Sequence, residues 1–175
     1  MCRLGTLSLL LVLVLAACEG TIHGIETSSP DEATIDEASI TSVLGVFRDS
    51  PAFTAVSGAM YPSAIDGSNV DVYVSGNAFA QFGSIMPEHA DSGVIVPEGT
   101  FIVREVFDAN GAALRLTLMV KGPAGYNPAL GDFWFGIAKP DGSALEKSGL
   151  LTECFGCHLA RAGDSYLFGV PADRR

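Results

Sequence analysis

The chain is poor in residues that carry metal or redox chemistry, and poor in positive charge. Its 175 residues include 4 cysteines, 3 histidines and 1 tryptophan, and 10 basic residues stand against 20 acidic ones. The net charge of −10 argues against nucleic acids and anionic lipid surfaces as partners, because both repel an acidic protein. The charge is compatible with docking onto a basic partner protein and equally with solubility alone. The length is that of one domain with a substantial core.

Long apolar segments are also lacking. The apolar run Leu9–Leu15 is too short to span a bilayer, which takes about 20 residues. One positive charge, Arg3, precedes the run and two alanines follow it. This pattern predicts a signal peptide over residues 1–17, so the rest of the chain is expected to be exported.

The run Leu15-Ala16-Ala17-Cys18 resembles the bacterial lipobox. In signals of that kind, cleavage occurs before the cysteine and the cysteine thiol takes a diacylglycerol. The resemblance implies lipidation of Cys18 and a lipid anchor in the bacterial cell envelope, on the periplasmic side of the inner or the outer membrane. The alternative is plain secretion with Cys18 free, but a lone thiol is a liability in an oxidising compartment.

Two segments follow the expected cleavage point. Residues 18–38 are polar and acidic with almost no aromatic side chains, which predicts a tether, and residues 39–175 are expected to form the folded domain. The run Ser29-Pro30-Asp31-Glu32 has the pattern of a helix start. Apolar residues at helical spacing then predict a helix from about Asp31 to Arg48.

Beyond this helix the apolar residues alternate with a period of two, which is typical of half-buried strands. Asn77 is expected to cap a short helix, and Asp108-Ala109-Asn110-Gly111 is expected to be a hairpin loop in which the Asn-Gly pair supplies positive φ. The predicted fold class is α+β, a mainly antiparallel β-sheet with flanking helices and a further helix near the C-terminus. The expected strands cover about Val70–Ser75, Phe101–Phe107, Leu114–Lys121, Phe133–Lys139 and Tyr166–Val170.

Cysteine and histidine come together in the run Cys154-Phe155-Gly156-Cys157-His158. C-x-x-C-H is the attachment motif of c-type haem, in which two thiols bond the vinyl groups and the histidine ligates the iron. On a helix, positions i, i+3 and i+4 share one face, so Cys154, Cys157 and His158 can meet one porphyrin. The pattern therefore predicts covalent haem c on a C-terminal attachment helix, with His158 as the iron ligand.

Three other interpretations of the motif are a thioredoxin-like dithiol, half of a zinc site and a structural disulfide. A dithiol should open the first helix of a βαβ unit near the N-terminus, whereas this motif lies near the C-terminus. Zinc normally takes four protein ligands, and the sequence has no second Cys/His cluster. The cysteine count favours haem, because Cys2 leaves with the signal peptide and Cys18 takes lipid, so no disulfide remains to be assigned.

Several short pieces of sequence follow one another in an order typical of one family. They are Val72-Tyr73-Val74, the segment from Glu98 to Val106, Leu118-Met119-Val120-Lys121, an aromatic strand ending in Pro140-Asp141-Gly142, and the C-x-x-C-H run with Tyr166-Leu167-Phe168 behind it. From about Val70 to Val170 the chain thereby resembles the cytochrome P-460 family, whose relatives include cytochrome c′-β. The resemblance implies a mostly antiparallel sheet with helices, usually a homodimer, and one high-spin haem that faces the sheet.

Two positions depart from cytochromes P-460 proper. Where those proteins have a lysine that cross-links to the porphyrin, this chain has Arg104, whose guanidinium stays protonated and is a poor nucleophile. The family's distal glutamate, which takes part in proton transfer, matches Thr117. Both departures speak against hydroxylamine oxidation and favour the c′-β type, which binds diatomic gases, nitric oxide above all. Arg104 is then expected to donate hydrogen bonds to an iron-bound anion or to a haem propionate, with an exposed sheet arginine as the alternative.

The expected function is a lipid-anchored monohaem c-type cytochrome with an open distal site that binds or detoxifies small nitrogen-oxide or diatomic ligands. The main alternative is an electron-transfer cytochrome that serves a membrane redox complex and its redox partner protein. An enzyme acting on hydroxylamine or peroxide, and an interaction lipoprotein without haem, are further alternatives. The candidate sixth ligands of the iron are Met119, Met86 and His89. The candidate pocket walls are Phe79, Phe82, Phe133, Trp134 and Phe135, for which the core of the sheet is the default assignment. His23 is expected to be solvated.

Overall fold

A seven-stranded antiparallel sheet organises the fold, in a computed structural model that describes residues 34–89 and 91–175. Strands β3 to β7 follow one another as a meander, and the two shortest strands, β1 and β2, both pair with the outer edge of β3. The strands are β1 Phe53–Ala55, β2 Tyr61–Pro62, β3 Asn69–Ser75, β4 Phe101–Phe107, β5 Ala113–Lys121, β6 Phe133–Ala138 and β7 Leu145–Gly149. The α-helices are α1 Glu37–Leu44, α2 Phe79–Gly83 and α3 Thr152–His158, and short 3-10 helices cover Gly76–Ala78, Pro128–Leu130, Leu159–Asp164 and Ala172–Arg174.

The predicted α+β class, with a mainly antiparallel sheet, is confirmed. Strand β3 shows why the sequence pattern sufficed there: every second residue from Val70 to Val74 is buried, and the residues between them are half-buried. Strands β4, β5 and β6 also lie where alternation predicts them, and α3 covers the C-x-x-C-H run. Strands β1, β2 and β7 were not predicted.

One face of the sheet packs against α1. The helix begins at Glu37 because the carboxylate of Asp36 caps it, accepting a hydrogen bond from the amide of Ala38 at 3.0 Å. The indole of Trp134 in β6 donates to the Glu37 carboxylate at 3.3 Å, which ties the helix to the sheet. The core on this face consists of Ile40, Leu44, Phe47, Phe101, Val103, Leu116, Leu118, Val120, Trp134 and Ala138.

The opposite face of the sheet carries a second core. Helix α2 and the segment that follows α3 pack here, and Cys154 and Phe155 of α3 lie against the same cluster. Its members include Tyr61, Val70, Val72, Val74, Phe82, Ile85, Ile102, Val106, Met119, Leu130, Phe133, Phe135, Leu167 and Val170. This face holds the candidate site.

Two predicted features near α1 and α2 are wrong in detail. The helix expected at about Asp31 to Arg48 covers only Glu37–Leu44, since Asp36 caps its start and a series of turns begins at Gly45. Asn77 does not cap the following helix, because its side-chain oxygen accepts a hydrogen bond from the Ser75 hydroxyl at 2.6 Å instead.

Two predicted features of the sheet are also wrong. In the hairpin loop after β4, Gly111 has a positive φ of 83° but Asn110 does not, because the Asp108 carboxylate fixes the loop by accepting from the Asn110 amide at 2.8 Å. The strand expected at about Tyr166 to Val170 is irregular chain. Ser165 and Tyr166 have φ values of 52° and 61°, and a left-handed backbone cannot enter a strand there.

The signal peptide, the lipidation at Cys18, His23 and the helix start at Ser29–Glu32 lie outside the described residues. Among the residues that are described, no helix combines the length and the apolar character that a membrane crossing requires.

Candidate functional site

A cavity of about 500 Å³ opens on the sheet face opposite α1. Its walls come from β2 to β6, the turn between β2 and β3, helices α2 and α3, and the segment after α3. The cavity brings together eight of the side chains that the sequence predicted around the haem, and several others that it did not. The predicted members are Phe82, Arg104, Thr117, Met119, Phe135, Cys154, Cys157 and His158.

Helix α3 presents the two cysteines and the histidine to this cavity. Cys154 and Cys157 are free thiols, and Cys154 is half-buried whereas Cys157 is exposed. Burial raises the pKa of the Cys154 thiol, and the neighbouring carboxylate of Glu153 raises it further. The thiol is therefore held in its protonated form at neutral pH.

The imidazole of His158 is held in one orientation. Its Nδ1 lies 2.5 Å from the carbonyl oxygen of Tyr166, and because a carbonyl can only accept, Nδ1 carries the proton. The rings of Phe168 and Phe135 flank it, with centroids 5.1 Å and 5.5 Å away. Burial lowers the pKa of His158; the Tyr166 carbonyl opposes this, and the positive charge of Arg104 adds to it. The ring is therefore neutral, and Nε2 keeps a free lone pair for a metal ion.

A strained turn supplies the carbonyl that holds His158. Ser165 and Tyr166 both have left-handed backbone angles, which cost on the order of 1–3 kcal/mol each in residues other than glycine. The Tyr166 amide donates to the Arg161 carbonyl at 2.7 Å, and the Ser165 hydroxyl donates to the Val94 carbonyl at 2.6 Å. The Tyr166 ring packs so closely over Gly131 that a Cβ there would lie 2.6 Å from it. The surrounding structure thus enforces the turn.

A buried ion pair directly precedes the turn at Ser165 and Tyr166 in the chain and stabilises it. Arg161 is 5% exposed and Asp164 is fully buried, and Nη2 of the arginine lies 2.6 Å from Oδ2 of the aspartate. The N–H groups of Arg161 donate to carbonyl oxygens, so Oδ2 of Asp164 accepts no hydrogen bond and is stabilised only by the charge of the arginine. Oδ1 of Asp164 accepts a hydrogen bond from the amide of Ser92 at 2.6 Å. The carbonyl acceptors are Leu167 at 3.2 Å, Pro87 at 3.1 Å, Met86 at 3.0 Å and His89 at 2.7 Å. The pair therefore joins the loop after α2 to the segment after α3.

Arg104 is fixed at the polar side of the cavity. Its Nη2 donates to both oxygens of Asp66, at 2.8 Å and 2.9 Å, and to the Ser68 hydroxyl at 2.9 Å. Although burial raises the pKa of Asp66, hydrogen bonds from Ser68 and Arg104 outweigh it and bring the pKa to about 2. The arginine side chain is 23% exposed, so it is a cavity residue and not an exposed sheet arginine. Its Nε and Nη1 donate to no described residue.

Tyr61 is a cavity residue that sequence reasoning missed. Its side chain is 6% exposed and lines the cavity, and its hydroxyl makes no hydrogen bond to any residue in the described ranges. Burial raises the pKa of Tyr61, which the charge of Arg104 partly offsets and that of Asp71 reinforces. The phenol therefore stays protonated at neutral pH and has a hydrogen to donate.

Of the remaining predicted residues, some line the cavity and others do not. The Thr117 hydroxyl donates to the Arg104 carbonyl at 3.4 Å, and Met119 is buried in the cavity wall between Ile102 and Phe135 in the sheet register. Met86 and His89 do not line the cavity, because Arg161 holds their carbonyls in the loop after α2. Three of the candidate pocket walls lie elsewhere: Phe79 is exposed, Phe133 is in the core of the cavity face without lining the cavity, and Trp134 is on the α1 face.

Within residues 34–89 and 91–175, no group of three or more His, Cys, Asp or Glu side chains is arranged to hold a metal ion by itself. Comparison with known proteins adds no identity: no family model matches the chain, and no curated protein matches it significantly.

Proposed function

We propose that the chain is a lipid-anchored monohaem c-type cytochrome related to the cytochrome P-460 family, of the c′-β type, and that it binds or detoxifies small nitrogen-oxide or diatomic ligands. Cys154 and Cys157 hold haem c, His158 ligates its iron, and Cys18 carries the lipid that keeps the protein in the bacterial cell envelope. As the resemblance implies, the protein is proposed to be a homodimer.

The observation that carries this proposal is the shared cavity of the three motif residues. Cys154, Cys157 and His158 line one space of about 500 Å³, a volume within the range of cofactor pockets. The Tyr166 carbonyl occupies Nδ1 of His158, so Nε2 is the ring nitrogen left for a metal. A thioredoxin-like dithiol is a poorer fit, because its attacking cysteine needs a lowered pKa and that of Cys154 is raised.

The polarity of the cavity also fits haem, whose porphyrin is apolar and whose propionates are charged. Met119 and Phe135 are neighbours across β5 and β6 and form an apolar part of the wall. The Phe135 ring also contacts the ring of His158. Arg104 and Arg115 lie one and two rows further along and supply cationic side chains. Cys154 and Cys157 would therefore bond the vinyl groups, and the two arginines would pair with the propionates.

The residues of this chain have separate tasks in the proposed site. Each thiol would add across one vinyl double bond, with sulfur bonded to one carbon and hydrogen to the other, so attachment would take no oxidant. His158 would ligate the iron, and the hydrogen bond from its Nδ1 to the Tyr166 carbonyl would make it a stronger donor. When bound, haem supplies an iron that can take a small molecule as a further ligand. Phe82 and Phe135 both line the cavity and make part of its wall apolar.

Hydroxylamine oxidation is not part of the proposal. Arg104 stands where the cross-linking lysine of cytochromes P-460 lies, and the bonds from its Nη2 to Asp66 and Ser68 hold it as a charged, protonated group.

A second candidate function is electron transfer, with Met119 as a sixth ligand. The observation that favours it is that Met119, alone among the three candidate sixth ligands, lines the cavity. In this case the ferrous protein is low-spin and does not respond to carbon monoxide, and Met119→Leu converts it to a high-spin form that does.

Optical spectra of the reduced, purified protein with and without carbon monoxide test the main proposal. We expect a c-type haemochrome in alkaline pyridine, a high-spin ferrous spectrum, and a shift when carbon monoxide is added. If no haemochrome forms, the haem proposal is wrong. A low-spin spectrum that ignores carbon monoxide excludes the open distal site and favours the electron carrier.

A further inference from the structure

The imidazole of His158 stands at the end of a short chain of hydrogen bonds. Its Nδ1 lies 2.5 Å from the carbonyl oxygen of the peptide group that joins Tyr166 to Leu167. The amide of the same peptide group, on Leu167, donates to the Asp164 carbonyl at 3.0 Å. Hydrogen bonds at the two ends of one peptide group polarise and strengthen each other. The bond to His158 therefore depends on how this peptide group is held.

Arg161 holds the residues on both sides of this peptide group. Its carbonyl accepts from the Tyr166 amide at 2.7 Å, and its Nε donates to the Leu167 carbonyl at 3.2 Å. Its guanidinium carbon also lies 5.6 Å from the centre of the Phe168 ring, and that ring centre lies 5.1 Å from the centre of the His158 ring. One arginine thus fixes the hydrogen-bond acceptor of the imidazole and also one of its aromatic neighbours.

Stability alone does not explain the ion pair that holds this arginine. Arg161 is 5% exposed and Asp164 is fully buried, and Oδ2 of the aspartate accepts no hydrogen bond. Buried ion pairs are often no more stabilising than apolar side chains of similar volume, because both charges lose their hydration. The left-handed residues Ser165 and Tyr166 add backbone strain, which clusters at functional sites. The pair and the strained turn together fix the position of the carbonyl that accepts from His158.

We propose that Arg161 and Asp164 are positioning residues for His158. Through the Tyr166 carbonyl they set the orientation of its ring and the electron-donor strength of its Nε2. The inference rests on the proposed haem function, in which Nε2 would ligate the iron. A firmly held acceptor on Nδ1 makes the ring a stronger donor, and a stronger donor favours ferric over ferrous iron. Loss of the support should therefore weaken the iron–histidine bond and raise the reduction potential.

The test is made on the haem-loaded protein, at a temperature at which the variants are folded. Arg161→Lys keeps the charge beside Asp164 but lacks the planar set of donors that reaches Leu167 and the loop after α2 together. We expect the iron–histidine stretching band of the ferrous protein to broaden and move to lower frequency, and the reduction potential to rise. Because the net charge is unchanged, these shifts report the position of the ring and not the charge near the iron.

Asp164→Asn is the second variant, because it keeps the shape of the side chain while it breaks the pair. It should also lower the stretching frequency, and this result decides the question if Arg161→Lys does not fold.

Arg48→Lys is the matched control. Arg48 pairs with the buried Glu105 at 2.5 Å, and Glu105 stands opposite Leu116, a residue of the core on the α1 face. The same substitution there breaks the same kind of pair away from the cavity. It should lower Tm but leave the stretching frequency and the reduction potential unchanged.

The inference is wrong if Arg161→Lys and Asp164→Asn lower Tm but keep the natural stretching frequency, because the pair is then only structural. It is also wrong if Arg48→Lys shifts the frequency as much as they do. Failure of the haem function is a separate result, since the natural protein itself then forms no c-type haemochrome, and it overturns both proposals.

Discussion

Replacement of Asp164 by asparagine should destabilise the protein strongly although it removes no volume. Asp164 is fully buried, and Arg161, its partner at 2.6 Å, is 5% exposed. Removal of one partner from such a pair costs about 3–5 kcal/mol, because the other charge stays buried without compensation. Arg161 keeps its four carbonyl acceptors, so we expect the lower end, about 3 kcal/mol. For a chain of this size that lowers Tm by about 6–12 °C.

The assay is thermal unfolding of Asp164→Asn beside Glu153→Gln. The control breaks a pair of similar length, Lys147–Glu153 at 2.7 Å, whose two side chains are exposed, and should leave Tm unchanged. In the haem-loaded protein, Asp164→Asn should also lower the iron–histidine stretching frequency, because Tyr166 then holds His158 less firmly. A Tm equal to that of the natural protein would refute the argument that the buried pair fixes this turn.

Three further predictions concern the cavity and its supports. Gly131→Ala should lower Tm more than Gly125→Ala does, since both glycines have positive φ but only at Gly131 would a Cβ meet a side chain, the Tyr166 ring at 2.6 Å. The pKa of Asp66 is about 2, below its ordinary value of 3.8, so its stabilising effect is present above pH 3.8 and is lost as the pH falls through 2. Asp66→Asn should therefore have a lower Tm than the natural protein at pH 7 and an equal one below pH 2, in unfolding measured across that range. Met119→Leu should leave the ferrous spectrum high-spin and the response to carbon monoxide unchanged, and a loss of low-spin bands would instead identify Met119 as the sixth ligand.

Strands could be predicted where apolar and polar residues alternate along the chain, because successive side chains of a strand point to opposite faces of the sheet. Strands β3 and β5 are examples, with buried residues at every second position over much of their length. Strand β2 has two residues and includes Pro62, and β7 has no fully buried side chain, so neither carries the pattern. The apolar segment Tyr166–Val170 has the composition of a strand, but two left-handed residues at its start prevent one.

Some residues of the candidate site could also be predicted from the sequence, and others could not. The motif residues Cys154, Cys157 and His158 could be predicted because their spacing along one helix is visible in the sequence. Arg104 could be predicted through the resemblance to a family. Tyr61 could not be found, since its place depends on how a two-residue strand pairs with β3. The same holds for contacts between distant parts of the chain, which no local pattern encodes. Arg104 with Asp66, and Asp164 with Ser92, lie 38 and 72 residues apart.

The central claim is that Cys154 and Cys157 bind haem covalently and that His158 ligates its iron. The most direct test is the intact mass of the protein produced with the cytochrome c maturation machinery, beside a variant with both cysteines replaced by alanine. The claim predicts that the natural chain gains the mass of one haem, that the double variant gains none, and that His158→Ala keeps the added mass but loses the natural ferrous spectrum. A natural chain without added mass would contradict it.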